Sequence, residues 1–412
     1  MPLSAIEDIK TITQPIMNQV PKNLMGIERH HKIAEILAEQ PEEIHLKLQN
    51  IMDSLLHHMG EIDASDIDLG GSGCDGKVWM RVHGQKTPIE NSPEFSLEDT
   101  DVLCQSILMP RQRQFLLEKR NLDFSYSLEN GPEIPQRFRA DVYFDLEHLA
   151  LNMRKIDNEI RPFNGLNLHQ EIAKALSLKY LKYGLTLVTG ITGSGKSSTL
   201  DTILDANNLT SDAHMVIIAS PIELVHQPKR SIVRHREVGR DVMSFKEGAV
   251  QALRQDPDII VIGELRDPDT IMTALEITDS GHKTFGTLHT ASAVESLDRI
   301  IGEVPPEEQE RVRNRLADVL TCVISQKLVP TLDGKRTLAK EVLLTTSAVR
   351  AAIRNNNTGE IYQMIYEGSA LGMHTMEQDL TRLYYEEKIS KEEAIGNANN
   401  KKRLKELLEQ SV

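Results

Sequence analysis

One eight-residue run constrains the fold of this chain more than any other feature: Gly190-Ile191-Thr192-Gly193-Ser194-Gly195-Lys196-Ser197. It matches the phosphate-loop pattern G-x-x-x-x-G-K-[ST] at every fixed position. Glycines here let backbone N–H groups turn inward around a phosphate chain without a side chain in the way. An apolar run, Leu185–Thr189, precedes the loop and a helical run, Ser198–Ile203, follows it. This context favours a phosphate site over the alternative, an ordinary glycine-rich turn.

The loop predicts how a nucleotide is held. Lys196 is expected to reach the terminal phosphates, and the Ser197 hydroxyl to complete the shell of a Mg²⁺ ion. A helix that opens at this point adds the positive end of its dipole to the anion site. ATP and Mg²⁺ are therefore the expected cofactors. The expected nucleotide-binding residues are Thr192, Gly193, Ser194, Gly195, Lys196, Ser197 and Ser198.

A second element places an acid beside this site. The apolar run Ile259–Ile262 is followed by Gly263 and Glu264. Phosphate-loop enzymes deliver a carboxylate to Mg²⁺ and the attacking water at the C-terminal end of such a strand. Many buried strands end in an edge glutamate, so the signal is weak alone and gains its weight from the phosphate loop. We therefore predict that Glu264 is catalytic and contacts Mg²⁺ through water.

Short apolar strands alternate with helical segments after residue 167, which is typical of a parallel α/β sheet. The chain beyond Pro305 is expected to be mostly helical, with one strand near Leu338–Leu344. The four strands predicted before it are Leu185–Thr189, Met215–Ala219, Ile259–Ile262 and Thr284–Leu288.

The N-terminal part shows a different pattern, which we interpret as a small α+β domain over 62–156. Apolar spacing predicts a helix over Glu42–Met59, and another is expected to begin near Ser96. Strands are predicted at Ala64–Leu69, Lys77–Val82, Leu122–Leu128, Arg137–Phe144 and Leu149–Ile156. The predicted organisation is an arm of short helices or loose chain (1–42), a domain with a leading helix (43–156), a linker (157–167) and an α/β domain with a helical C-terminal part (168–412).

Several other charged side chains leave alternatives open. His282 and His289 flank the run Lys283–Leu288, and spacing alone favours a structural histidine over a catalytic one at each position. Arg236 and Arg240 fit phosphate binding as well as they fit a solvated face. Two histidine pairs lie in polar, helical context and are expected to be solvated: His30-His31 and His57-His58.

Composition excludes several classes of protein. Lys plus Arg total 47 against 61 Asp plus Glu, and the resulting net charge of -14 disfavours a nucleic-acid-binding protein. Three cysteines without a C-x-x-C pair exclude a disulfide scaffold and a four-cysteine zinc module. No window reaches the roughly 18 apolar residues of a membrane span, and the N-terminus lacks a signal-peptide pattern. We therefore expect a cytoplasmic protein without direct membrane insertion, which reaches the membrane through partners.

Further segments extend the pattern: Ser220–Glu223, Arg236–Gly239, Ala252–Asp258, Gly263–Asp267, Gly281-His282, Gly286–Thr290, Ser325–Pro330, Ala348–Arg354 and Gly372–Met376. Together with the phosphate loop they resemble the secretion ATPase superfamily, and within it the type IV pilus retraction ATPases. The resemblance covers about residues 43–410. Assembly ATPases of the same superfamily usually carry a tetracysteine zinc insert, which three scattered cysteines exclude here.

The resemblance implies a homo-hexamer whose subunits combine an N-terminal PAS-like domain with a RecA-like P-loop ATPase domain. It implies that Glu264 orients or activates water, that His289 senses the γ-phosphate or relays domain movement, and that Arg266 belongs to the same catalytic set. It also implies an inner-membrane pilus platform protein as partner, and pilus retraction at the inner face of the cytoplasmic membrane. Contacts to phosphate from the N-terminal domain are implied for Arg137, Arg139 and Arg154.

The sequence departs from the family pattern in the aspartate box, which usually reads Ile-Glu-Asp-Pro-Ile-Glu. This chain reads Ile218-Ala219-Ser220-Pro221-Ile222-Glu223, so two carboxylates expected near the metal and water are replaced. Because Glu264 remains, we predict slowed rather than abolished hydrolysis. Two alternatives stay open: a weakly hydrolysing accessory paralogue that co-assembles with an active pilus ATPase, and a nucleic-acid motor, which the net charge disfavours.

Overall fold

Separate hydrophobic cores divide the chain into two units, Met1–Asn158 and Glu159–Val412. The computed structural model describes residues 9–90, 92–128, 135–156 and 159–410. Residues 1–8 of the predicted arm, 157–158 of the predicted linker and the last two residues of the predicted C-terminal domain lie outside the described residues. The domain boundaries drawn from the sequence stay a prediction.

Unit 1 contains a six-stranded sheet in the order β3-β2-β1-β6-β5-β4, in which all neighbours run antiparallel. The strands are β1 (Ala64–Gly70), β2 (Trp79–Val82), β3 (Gln85–Pro88), β4 (Asn121–Leu128), β5 (Gln136–Asp145) and β6 (His148–Lys155). The helices are α1 (Lys10–Met17), α2 (Gly26–Ala38), α3 (Glu42–Glu61), α4 (Leu97–Ser106) and α5 (Pro110–Lys119). The sheet packs against α3, α4 and α5 and buries alternate residues such as Phe138, Ala140 and Val142.

The strands and helices predicted in this unit are confirmed. The predicted leading helix is α3, which ends at Glu61. Ser96 caps α4: its hydroxyl accepts from the Asp99 backbone N–H, and the Asp99 side chain accepts from the Ser96 backbone N–H. No sequence pattern predicts β3, whose four residues are all exposed.

The expectation that His30 is solvated is wrong. Helix α2 packs against α4 and α5, and the His30 side chain is fully buried. Its Nε2 lies 2.8 Å from the Glu147 carbonyl oxygen, and its Nδ1 lies 3.2 Å from Gln105 Nε2. Burial lowers the pKa of His30. A histidine in a polar stretch becomes buried here because it lies on the one face of an amphipathic helix that meets the core.

Unit 2 is built on a seven-stranded sheet in the order β13-β12-β7-β11-β10-β8-β9. All neighbouring strands are parallel except β12 and β13. The strands are β7 (Gly184–Thr189), β8 (His214–Ala219), β9 (Ile232–Glu237), β10 (Ile259–Ile262), β11 (Lys283–Leu288), β12 (Leu320–Pro330) and β13 (Arg336–Leu344). The helices are α6 (Gln170–Leu176), α7 (Lys196–Thr210), α8 (Phe245–Ala252), α9 (Pro268–Asp279), α10 (Ala293–Gly302), α11 (Pro306–Val319), α12 (Ser347–Arg354), α13 (Ile361–Glu367), α14 (Met376–Tyr385), α15 (Lys391–Asn397) and α16 (Lys401–Gln410).

Helices cover both faces of this sheet. Ile260 and Ile262 of β10 pack into a core with α9, α10 and α11, whereas Ile259 and Val261 pack into a second core with α6 and α7. A strand buried on both faces reads as a continuous apolar run. That is why the four strands predicted before Pro305 are correct.

The expectation of a single strand beyond Pro305 is wrong. The eleven-residue strand β12 pairs in parallel with β7 and antiparallel with β13. Ser325, Gln326 and Lys327 interrupt its apolar pattern, although the first two are buried. Edge strand β9 was not predicted either, because Arg234 and Arg236 interrupt its apolar pattern. Within the described residues, no helix has the length and apolar character needed to cross a membrane.

Candidate nucleotide site

The phosphate loop leaves the C-terminal end of β7, whose six residues are all buried. Helix α7 begins at Lys196, so the loop joins a buried strand to a helix N-terminus. Gly190 has a φ of +149°, and an added Cβ would lie 2.4 Å from Ser194 Oγ and 2.5 Å from the Gln326 carbonyl oxygen. The loop backbone therefore comes too close to β12 for any residue but glycine.

The Lys196 ammonium lies folded over the loop. Its Nζ donates to the carbonyl oxygens of Gly190 at 2.8 Å and Ile191 at 3.1 Å. Burial lowers the pKa of Lys196, and the carboxylates of Glu264 and Glu223 oppose that shift. A phosphate oxygen can replace these carbonyls as the acceptor. The new hydrogen bond is stronger because the phosphate acceptor is charged and the carbonyls are neutral.

Glu264 lies beyond the C-terminal end of β10, and two cationic or ionisable neighbours hold its carboxylate. Arg266 Nε donates to one oxygen at 2.6 Å, and His289 Nε2 lies 3.4 Å from the other. The Thr287 carbonyl accepts from the Leu265 backbone N–H at 3.0 Å, which ties the segment carrying Glu264 to the end of β11. The side chain is 23% exposed, so solvent reaches it.

His289 follows β11, the strand between β7 and β10. Burial lowers its pKa, the positive charges of Lys196 and Arg266 lower it further, and Glu264 opposes the shift. The lowered pKa favours the neutral imidazole. Lys196, Glu264 and His289 thus converge because they follow three neighbouring parallel strands, whose C-terminal ends share one edge of the sheet.

The aspartate box lies at the end of β8, beside this cluster. A Cβ added to Gly263 would lie 3.1 Å from both Cα and Cβ of Ala219, so the Ala219 methyl group faces the segment that carries Glu264. The sequence predicted no role for Glu223, but its negative charge acts to raise the pKa of Lys196. Glu223 is the carboxylate that the divergent box retains, and that position is the signal that could have identified it.

Gln326 of β12 is a second residue that sequence reasoning missed. Its Nε2 donates to the Ser194 carbonyl oxygen at 2.8 Å, and its Oε1 is buried without a partner in the described part of the chain. Buried hydroxyls continue this contact under the loop: Thr189 Oγ1 lies 2.7 Å from Ser325 Oγ. The segment Ser325–Pro330 resembles a family motif. Its position next to the loop follows from the pairing of β12 with β7, which the motif alone does not predict.

The remaining predicted loop residues differ in exposure. Thr192, Gly193, Ser197 and Ser198 are exposed, whereas Ser194 is buried. Arg236 donates to Gln251 Oε1 at 2.9 Å and Arg240 is exposed. The phosphate contacts expected of all these residues stay predictions.

The three arginines of unit 1 that are expected to contact phosphate, Arg137, Arg139 and Arg154, share one face of its sheet. Arg139 pairs directly with Arg154 across β5 and β6, and Arg137 lies two residues from Arg139. Arg154 Nε donates to Asp66 Oδ1 and Arg139 Nη2 to Asp123 Oδ2, both at 2.8 Å.

The side chains of Arg154 and Arg139 are exposed by 68% and 44%, but their partners differ: Asp123 is also partly exposed, whereas Asp66 is buried. Burial acts to raise the pKa of Asp66, but hydrogen bonds from Ser65 and Arg154 outweigh it and lower the pKa. Exposed pairs contribute only about 0–1 kcal/mol. Arg139 could therefore exchange Asp123 for a phosphate at little cost, whereas release of Arg154 costs more because it leaves buried Asp66 with Arg81 as its other cation.

The fold and the site together define a P-loop ATPase with a RecA-like ATPase domain and a separate N-terminal unit. The sequence pattern of the type II/IV secretion system protein family matches residues 146–411. The chain belongs to that family.

Named relatives agree with this assignment. The chain is 39% identical over 325 residues to the twitching motility protein of Neisseria gonorrhoeae, which covers 78% of this chain and 84% of the relative. It is 38% identical over 321 residues to the type IV pilus retraction ATPase PilT of Pseudomonas aeruginosa, covering 77% and 90%. The crystal structure of the pilus retraction motor PilT with bound ADP superposes with a TM-score of 0.76 at 36% identity, covering 86% of this chain and 98% of that one.

Proposed function

We propose that this chain is an ATP-hydrolysing motor that drives retraction of type IV pili or powers a related secretion machine. The observation that carries the proposal is the convergence of Lys196, Glu264 and His289 at the ends of three neighbouring strands. The likeness to a twitching motility protein and to the retraction ATPase PilT supports the choice of pilus retraction among the tasks of the family.

Each residue has a role that its surroundings support. Lys196 exchanges its bonds to loop carbonyls for bonds to the terminal phosphates. Glu264 positions the attacking water, and Arg266 fixes the orientation of its carboxylate. The lowered pKa of His289 favours its neutral form, which can donate from Nε2 to a phosphate oxygen or to Glu264 without requiring a proton from solution.

A magnesium ion fits the donors at this site. Carboxylate, hydroxyl and phosphate oxygens are the ligands that Mg²⁺ prefers, and Ser197 and Glu264 supply the first two. We propose that Ser197 binds the ion directly and that Glu264 contacts it through water. The ion would neutralise charge on the phosphates as the bond to the leaving group breaks.

The assembly we propose is a homo-hexamer in the cytoplasm, held at the inner face of the cytoplasmic membrane by a pilus platform protein. Arg137, Arg139 and Arg154 contact nucleotide phosphates in this proposal. Arg139 pairs with the partly exposed Asp123, which a phosphate can replace, whereas Arg154 pairs with the buried Asp66.

A second candidate function is an accessory ring subunit that binds nucleotide, hydrolyses it weakly and co-assembles with an active paralogue. Ala219 and Ser220 favour it, because they replace carboxylates at the end of β8 beside Glu264. Purifying the chain from its host separates the two candidates: a ring of this chain alone supports the motor, and a mixed ring with a second ATPase supports the accessory subunit.

The motor function is tested by deleting the coding sequence in its own host. The expected result is loss of pilus-driven surface movement together with an increase in surface pili. Re-expression of the Glu310→Gln variant should restore both traits, because Glu310 is an exposed residue on α11 without a catalytic role. The Lys196→Ala variant should restore neither, and unchanged pili and movement in the deletion strain would refute the proposal.

A further inference from the structure

A small basic cavity lies in unit 2 away from the residues assigned to ATP hydrolysis. It has a volume of about 160 Å³, and five cationic side chains line it together with backbone and apolar atoms. These are Arg161, Arg336, Lys340, Arg382 and Lys388. The cavity is formed by the segment before α6, the beginning of β13 and helix α14 with the turn after it.

Two carboxylates face this cluster, and both already form ion pairs with Arg382 or Lys388 of the cluster. Asp379 accepts from Arg382 Nε at 2.9 Å and Nη2 at 2.7 Å, and from the Lys340 backbone N–H at 2.9 Å. Glu386 accepts from Arg382 Nη1 and from Lys388 Nζ, both at 2.8 Å. Five positive charges against two negative charges leave a surplus of three.

Lys340 is the unusual member of the cluster. It is only 3% exposed, and in the described part of the chain its ammonium group has neither a hydrogen bond nor an ion pair. Burial lowers its pKa, Asp379 opposes the shift, and Arg382 and Lys388 strengthen it. Asp379 and Glu386 act on this ammonium only at a distance, and a buried ammonium without a direct partner is costly unless an anion compensates it.

Two further cations of the cavity are also available. Arg161 and Arg336 are exposed, and neither forms an ion pair within the residues that the structure describes. Guanidinium groups bind phosphoryl oxygens in bidentate fashion, and an ammonium group adds a point charge. A dianion of phosphate size matches both the volume and the surplus charge better than a single carboxylate does.

The structure assigns this cavity as a binding site for a phosphoryl dianion, held by Lys340, Arg336 and Arg161 and distinct from the phosphate loop. Lys340 pairs with Gln326 across β13 and β12, and Gln326 donates to the Ser194 carbonyl oxygen of the loop. Gln326 of β12 therefore connects the second anion site to the phosphate loop. An anion there would join the segment before α6 to β13. The inference does not depend on the pilus function.

Inorganic phosphate is the probe for the test, titrated by calorimetry into the full chain saturated with AMP-PNP and Mg²⁺, so that the phosphate loop is filled. We expect one saturable phosphate site per chain. Affinity should fall at least about tenfold in Lys340→Met and in Arg336→Gln, and should be unchanged in Lys335→Gln, whose exposed side chain neighbours Arg336 outside the cavity. Arg336 is exposed, so its variant tests the site even where Lys340→Met impairs folding.

Two results would overturn the assignment: no saturable phosphate binding by the AMP-PNP-saturated chain, or binding that neither cavity variant weakens. Sedimentation with phosphatidic acid vesicles, whose phosphomonoester headgroup can carry two negative charges, identifies the source of the phosphoryl group. Binding to vesicles that Arg336→Gln abolishes and Lys335→Gln retains indicates a lipid headgroup. Phosphate binding without vesicle binding indicates a soluble phosphate.

Discussion

The Glu341→Gln substitution is expected to remove an unusual pH dependence of stability. Glu341 lies on β13, is 2% exposed, and accepts from the backbone N–H groups of Ala293 at 2.8 Å and Met376 at 3.4 Å. Burial raises its pKa to about 7, and the nearby Glu377 adds to the shift, whereas the backbone hydrogen bonds and Lys327 oppose it. The group therefore prefers to be protonated in the folded chain near pH 6.

The sign and size of the effect follow from proton linkage. Because the folded state binds the proton more tightly than the unfolded state does, stability is present at low pH and is lost as pH rises through 7. A shift from 4.5 to about 7 corresponds to about 3 kcal/mol at alkaline pH, of which about 2 kcal/mol develops between pH 5.5 and 8. Glutamine keeps a carbonyl acceptor for Ala293 and does not ionise.

The assay is urea unfolding of the full chain at pH 5.5 and pH 8, with wild type and variant compared at each pH because a two-unit chain need not unfold in one step. The stability of Glu341→Gln relative to wild type should rise by about 2 kcal/mol from pH 5.5 to pH 8. The exposed Glu310→Gln serves as the matched control and should show no such change. An equal difference between Glu341→Gln and wild type at both pH values would refute the reasoning.

Three further predictions concern the nucleotide site. Restoring the aspartate box with Ala219→Glu and Ser220→Asp should raise kcat about a hundredfold, as expected for a recovered charged contact of a few kcal/mol; unchanged steady-state turnover would show that the box does not limit the rate. Gly190→Ala should abolish binding of a fluorescent ATP analogue, because its Cβ would lie 2.4 Å from Ser194 Oγ. Gly334→Ala is the matched control: its φ is also positive, at +79°, but nothing lies within 4 Å of the added Cβ, so it should bind normally. Ser296→Ala should lower the free energy of unfolding by about 1–3 kcal/mol, because it leaves the buried Thr290 hydroxyl, 2.6 Å from Ser296 Oγ, without that partner; an unchanged unfolding midpoint would contradict it.

The sequence predicted the central sheet well where local chemistry decides the structure. Strands such as Ile259–Ile262 are continuous apolar runs because both faces are buried, so composition alone locates them. Strand β12 escaped prediction because Gln326 and Lys327 reach polar partners that lie far away in the sequence. The burial of β12 depends on tertiary contacts, so no local sequence pattern predicts it.

The candidate site shows the same division. The loop residues and Glu264 could be predicted from the sequence because each follows an apolar strand within one local motif. The convergence of His289 with Glu264 depends on the order of β7, β11 and β10 in the sheet, which spacing does not give. Glu223 and Gln326 lie near the loop only because of the tertiary fold. The buried position of Lys340, whose ammonium group forms no ion pair in the described part of the chain, depends on that fold too.

The central claim is that Lys196 and Glu264 form the hydrolytic centre of an ATPase. Its most direct test is steady-state ATP turnover by the purified chain with Mg²⁺. Glu264→Gln and Lys196→Ala should each lower turnover by at least about a hundredfold, and Glu310→Gln should leave it unchanged. Turnover that survives both substitutions at the level of wild type would contradict the account.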